Sequence, residues 1–253
     1  MSSVTMLPAW AVLLCLLTFL IPSNQADNPE LTNSEIVDTV TEFPFLARIH
    51  IRSSVMNDHT ICGASLLDSE TLVTALHCVE HFYKFCLEVH HCYARFRDND
   101  RSKHENGQFR VDIITAFLKP GRGDLALLKL KHPVEEHPDY DRGVPLTPIK
   151  MSLSLPEPGE TAITAGWGAT GYNRGESLKL RKLNLTVLRH DDHWIYTDSS
   201  VMVEGVPSDP CAGDSGGPLI IWREEEWKIA GTLFVSMEGG REGCAYCITL
   251  SSG

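Results

Sequence analysis

Apolar residues along this chain recur in short runs, several of them alternating with polar ones, and no stretch holds the spacing of a long amphipathic helix. The runs predict strands at 43–52, 72–79, 109–117, 124–130, 161–167, 218–222 and 227–235. Segment 178–188 alternates, slips phase near Arg181-Lys182 and alternates again, which predicts a bulged strand. Turn-forming clusters separate the runs at Asn57-Asp58, Gly121-Arg122-Gly123, 156–159 and 168–175. Many short strands with frequent turns fit a barrel or sandwich rather than alternating β and α. The acidic stretch Glu135-Glu136-His137-Pro138-Asp139 reads as a solvated connector between two halves, and no repeat or low-complexity tract is present.

One apolar run stands apart. Residues 9–21 are followed by Pro22 and Ser23-Asn24-Gln25-Ala26, and the first 26 residues carry no charge. The pattern reads as a secretory signal peptide over 1–26, although it lacks the usual basic start. The competing reading is a membrane anchor, for which the run falls short of the roughly 20 residues a spanning helix needs.

Composition narrows the field. The 253 residues are 43% hydrophobic and 22% charged, enough to build a core. The net charge of -11 argues against a general grip on nucleic acid or on anionic membranes. Of eight cysteines, Cys15 leaves with the signal, so seven remain, and one would lack an intrachain partner. Asn184-Leu185-Thr186 is a glycosylation acceptor that fits the same compartment.

Chemistry concentrates at Gly213-Asp214-Ser215-Gly216-Gly217-Pro218. A serine between glycines sits in a tight turn whose backbone N–H groups can face a developing oxyanion. A plain loop turn is the bland alternative. The local pattern also satisfies the Gly-x-Ser-x-Gly elbow, but that fold places its acid and histidine after the serine. Here no His or Asp follows Ser215, so a base must come from upstream. His77 ends an apolar run beside Cys78, and Asp124 opens Asp-Leu-Ala-Leu-Leu-Lys-Leu just after Gly123. Together the three segments give the order His, Asp, Ser.

Thr74-Ala75-Leu76-His77-Cys78, Gly123-Asp124-Leu125-Ala126-Leu127-Leu128-Lys129-Leu130, Gly166-Trp167-Gly168 and Gly213-Asp214-Ser215-Gly216-Gly217-Pro218-Leu219 resemble the trypsin-like (chymotrypsin-fold) serine proteases. The resemblance runs from about Ile36 to Val235. It implies an all-β fold of two antiparallel six-stranded barrels, with the active site in the crevice between them. By the same resemblance His77, Asp124 and Ser215 are the catalytic triad, and the N–H groups of Gly213 and Ser215 form the oxyanion hole. Cys62 and Cys78 match the disulfide that braces the histidine loop. Cys211 pairs with Cys244, or else with Cys247, and Cys86 with Cys92 in a local disulfide. A zinc site at the Cys86–Cys92 cluster, which includes His90-His91, is the alternative there.

Asp209 stands where an acid at the base of the primary pocket selects Lys or Arg, and Ser236 matches a substrate-pairing position. Ile36 matches the start of a mature enzyme, with 27–35 a propeptide and 36–253 the protease domain; its freed amino group would pair with Asp214. The chain departs from this pattern at Glu35, where Lys or Arg is usual, and at Asp38-Thr39, where two glycines are usual. Val203 stands at a common cysteine position, and the terminal strand and helix are expected to be cut short. The expected function is a secreted serine endopeptidase, made as a zymogen, that acts on protein or peptide substrates after Lys or Arg and meets protein inhibitors. No cofactor or metal is indicated. The alternative is a protease-fold binding protein or a poorly active truncated homologue, with a structural matrix protein as a distant third because nothing repeats.

Overall fold

The structure, a computed structural model, describes residues 34–52, 59–80, 91–118, 123–169, 175–197, 202–203, 206–207, 213–234 and 246–249. The segment expected to be a signal peptide, most of the one expected to be a propeptide, Cys86, Asp209, Cys211, Ser236 and Cys244 lie outside the described residues. Among the described residues, no helix is long and apolar enough to cross a membrane.

A short strand, β1 (Glu35–Ile36), leads into a closed barrel built from β2 (Leu46–Arg52), β3 (His59–Asp68), β4 (Thr71–Ala75), β5 (His91–Phe96), β6 (Phe109–Leu118) and β7 (Leu125–Leu130). The order around the barrel is β2-β3-β4-β7-β6-β5. Val134–Glu136 forms a 3-10 turn that enters the acidic connector, and Tyr140–Arg142 forms another just after it. Val134, immediately before the connector, is buried and anchors its start.

The second half comprises β8 (Lys150–Met151), β9 (Thr161–Gly166), β10 (Arg181–His190), β11 (Trp194–Thr197), the small ribbon of β12 (Met202–Val203) and β13 (Val206–Pro207), β14 (Pro218–Arg223), β15 (Glu226–Phe234) and β16 (Tyr246–Thr249). Its pairings run β10-β11-β16-β15-β14-β9, and β9 pairs back with β10, so six strands return on themselves. The all-β expectation holds, and the short stretch after Val235 still supplies a last strand, paired with both β11 and β15.

Alternation accounts for the second core. Along β10 the side chains of Leu183, Leu185 and Val187 point inward while Asn184 and Leu188 face out. With Ile195, Leu219, Ile221 and Leu233 they form one buried cluster, each burial contributing about 1.5–3 kcal/mol.

Two sequence expectations shift. Arg181 and Lys182 pair in regular register with Gly166 and Ala165, and the irregularity in β10 falls between Val187 and Arg189, against β11. The strand expected over 72–79 ends at Ala75; a helical turn, α1 (His77–Glu80), follows it. The chain turns there because Val79 N–H donates to Leu76 O and Cys78 is tied by a disulfide to Cys62 on β3.

Candidate active site

β4 and β7 run antiparallel, with Ala75 opposite Leu125 as the last pair. The residues just after β4 therefore meet the residue just before β7. Leu76 N–H donates to Asp124 O at 3.0 Å, and His77 N–H donates to Asp124 Oδ1 at 2.6 Å. The other carboxylate oxygen, Oδ2, engages His77 Nδ1. Asp124 thus grips His77 by both ring and backbone. The pair is largely screened from water, with 28% of the His77 side chain and 12% of the Asp124 side chain exposed.

Ser215 arrives from the other half. It sits in the turn before β14, where Gly217 N–H donates to Asp214 O at 3.0 Å. Gly216 N–H donates to Leu233 O on β15, and Leu233 N–H donates back to Gly217 O. Across the two halves, Gly63 N–H on β3 donates to Ser215 O at 2.8 Å. Gly63 O in turn accepts from Thr74 Oγ1, three residues before His77. This chain of bonds holds the serine turn against β4, the strand that leads into the histidine.

Glycine is required twice in this turn. Gly216 has φ +75°, and a Cβ there would lie 2.2 Å from Thr74 Oγ1 and 2.5 Å from Gly63 O. Gly213 has φ +98°, with Glu176 Oε1 and Gly168 Cα about where a side chain would begin, at 3.1 and 3.2 Å. Among the described residues, neither the Gly213 N–H nor the Ser215 N–H donates to a protein acceptor.

Phe234 meets the His77 ring edge-on at 5.0 Å, and Trp194 meets Phe234 at 5.4 Å. His77 Nε2 lies 3.8 Å from Cys78 Sγ, and among the described residues no hydrogen bond joins it to the Ser215 hydroxyl. Cys62, His77 and Cys78 converge closely enough to hold a metal, but both sulfurs are spent in the Cys62–Cys78 disulfide and offer no thiolate. Cys92 is also disulfide-bonded, to a partner outside the described residues, so its sulfur is no zinc ligand.

The remaining expected residues fall as follows. Asp214 turns its carboxylate toward the glycines flanking Trp167, accepting from Gly168 N–H. Ile36 lies in β1, opposite Arg181 of β10. Asn184 is exposed in mid-strand on β10. Gly63 and Phe234 carry no motif that would single them out in the sequence, and Thr74 enters only as part of the histidine motif, yet the three position the serine turn and the histidine ring.

A family model described as Trypsin matches residues 36–247. The chain is 27% identical to the "Venom serine protease" of Polistes dominula, over 78% of this chain and 72% of that protein. It is 29% identical to the "Thrombin-like enzyme kangshuanmei" of Gloydius brevicauda, over 72% of this chain and 76% of that one. It is also 27% identical to "Ovochymase" of Halocynthia roretzi, where the match spans 71% of this chain but 12% of a far longer protein.

Proposed function

The chain belongs to the trypsin family, and we propose that it works as a secreted serine endopeptidase that cleaves after Lys or Arg. The observation that carries this reading is the double grip of Asp124 on His77, with Ser215 tethered through Gly63 and Thr74 to β4, which leads into His77.

In this reading Asp124 holds the proton on His77 Nδ1 and leaves Nε2 as the base. His77 takes the Ser215 Oγ proton as Oγ attacks the scissile carbonyl. The N–H groups of Gly213 and Ser215 receive the oxyanion, and His77 returns the proton to the leaving amine. Water then repeats the sequence on the acyl-enzyme. Nε2 faces Cys78 Sγ at 3.8 Å, so the bond from Oγ to Nε2 forms as substrate enters, as catalytic hydrogen bonds commonly tighten in the bound state.

Asp209 would select the cationic side chain by a charge-assisted hydrogen bond, and Ser236 would pair with the substrate backbone. Cys211 would bridge to Cys244, and Cys86 to Cys92. Asn184, exposed on β10, suits an attached glycan. The protein would be made with the 1–26 leader and a 27–35 propeptide, and the amino group freed at Ile36 would pair with Asp214. Protein substrates and protein inhibitors are the expected partners.

A fluorophosphonate probe tests the reading: it should label Ser215 in the native protein, and His77→Ala should abolish labelling. A second reading, a binding protein on the protease frame, draws on the missing bond between His77 and Ser215 among the described residues. No labelling of either the secreted protein or a form with a free Ile36 amino group would establish that reading and end the first. Matched peptides ending in Lys, Arg or Phe test the specificity, and equal turnover of all three would remove Asp209 from the pocket base.

A further inference from the structure

Glu176 brings a carboxylate to the loop ahead of Ser215. A Cβ placed on Gly213 would lie 3.1 Å from Glu176 Oε1 and 3.3 Å from its carboxyl carbon, so the carboxylate lies against the Gly213 backbone. Local pairing delivers it there: Glu176 bridges Ala169, and Ser177 N–H donates to Gly168 O at 2.9 Å. Gly168 frames the same spot, its Cα 3.2 Å from that Cβ position. A fixed negative charge beside N–H groups that are to receive an oxyanion opposes the reaction, because like charges repel and a partly buried setting screens them less than bulk water does.

A cation from the first half of the chain meets that carboxylate. Arg101 N–H donates to Leu178 O at 2.7 Å, Leu180 N–H donates to Asn99 O at 2.7 Å, and Asp100 bridges Lys179. Segment 99–101 therefore lies alongside 178–180, and the Arg101 side chain reaches Glu176. Its Nη1 donates to Glu176 Oε2 at 2.5 Å and to Ser177 O at 3.5 Å. The two side chains are 22% and 39% exposed, so water screens the pair only in part. Among the described residues neither has a second ion-pair partner, and removing one leaves the other unmatched.

We propose that Arg101 is a positioning residue for the peptidase reaction: by neutralising Glu176 it keeps the surroundings of Gly213 fit to receive an oxyanion. The inference rests on the endopeptidase reading and adds to it a residue far from the triad in sequence. The charge in question develops only during the chemical step. Its repulsion therefore acts on kcat and leaves KM nearly unchanged.

Steady-state kinetics on a Lys or Arg peptide ester, run beside fluorophosphonate labelling and melting curves, test the proposal. Arg101→Ala leaves Glu176 unmatched, and kcat should fall about tenfold with little change in KM. Glu176→Gln should keep kcat at or above the native value. Combining Arg101→Ala with Glu176→Gln should bring kcat back to within about twofold of native. A brace that acted by contact alone would lose rate in all three variants. Salt at about 1 M, where the Debye length is about 3 Å, should recover part of the loss in Arg101→Ala. Native kcat in Arg101→Ala, a Glu176→Gln variant as slow as Arg101→Ala, or a double variant that stays slow would overturn the proposal. In each of those cases labelling of the native protein at Ser215 leaves the endopeptidase reading standing. A native protein that neither labels nor turns over would overturn both.

Discussion

Asp214 Oδ1 accepts a hydrogen bond from Gly168 N–H at 2.7 Å, and its carboxylate fills the space where side chains on Gly166 and Gly168 would start. A Cβ on Gly168 would lie 2.2 Å from Asp214 Oδ2, and one on Gly166 would lie 2.1 Å from Oδ1. Gly168→Ala must therefore push Asp214 away and drag its neighbour Ser215 with it. The expected result is a fall of about 10²-fold in the rate of fluorophosphonate labelling, the penalty for an ångström-scale misplacement. A melting curve near that of the native protein would show that the loss is local; an unchanged labelling rate would mean the turn tolerates the shift.

Asp124→Asn keeps the shape of the pair but favours the wrong histidine tautomer. In the proposed mechanism kcat for a Lys or Arg peptide ester should fall by about 10⁴, with KM little altered. Steady-state kinetics measure both, and a variant retaining a tenth of native kcat would remove Asp124 from the triad.

The Arg48–Asp98 pair lies in the interior, with 3% and 1% of the two side chains exposed, and Arg48 stacks 5.3 Å from the Trp167 ring centroid. Removing Arg48 leaves the buried Asp98 with only the more distant Arg95 at 4.0 Å, so Arg48→Met should destabilise the fold by up to about 3–5 kcal/mol. Replacing both, as Arg48→Met with Asp98→Leu, should recover most of that loss. Denaturant unfolding of the single and double variants gives the coupling directly, and additive losses would contradict it.

Stability in acid should depend on Glu160, whose two oxygens engage both terminal nitrogens of Arg223 at the start of β9 and the end of β14. The Arg223 hydrogen bond, more than any other influence, holds the Glu160 carboxyl below its ordinary value of 4.5. The folded state therefore favours the ionised form. Its contribution is complete above the ordinary value and is lost as pH falls through the lowered one. Both side chains are partly solvated, so the effect should stay under about 1 kcal/mol. Melting temperatures from pH 7 to pH 3 should converge for native protein and Glu160→Gln at the acid end and separate near neutrality.

Legibility in the sequence followed the strength of the local signal. Strands dominated by apolar residues, such as β7 and β14, were visible because burial dictates their composition. β3 was overlooked because its core Cys62-Gly63-Ala64-Ser65 is small and weakly patterned, though it supplies the Gly63 bond to Ser215. β5 was overlooked because His91 and Arg95 interrupt its apolar pattern. The grip of Asp124 on His77 was foreseeable from motif resemblance, yet its cause, the register of β4 on β7, is a pairing between residues 50 apart that no local window contains. The aromatic contact of Phe234 with His77 left no trace in the sequence for the same reason.

The bond between Glu35 and Ile36 is woven into a sheet. Glu35 faces Lys182, Ile36 faces Arg181, Val37 N–H donates to Leu180 O, and Arg181 clasps both the hydroxyl and the carbonyl of Ser34. A cutting enzyme needs its target extended and unpaired, so that linkage is open to attack only in molecules whose first strand has peeled loose. Maturation at this point would then run on the clock of a two-residue strand fraying from its neighbour, and loosening Arg181 would hasten it without touching the cutter.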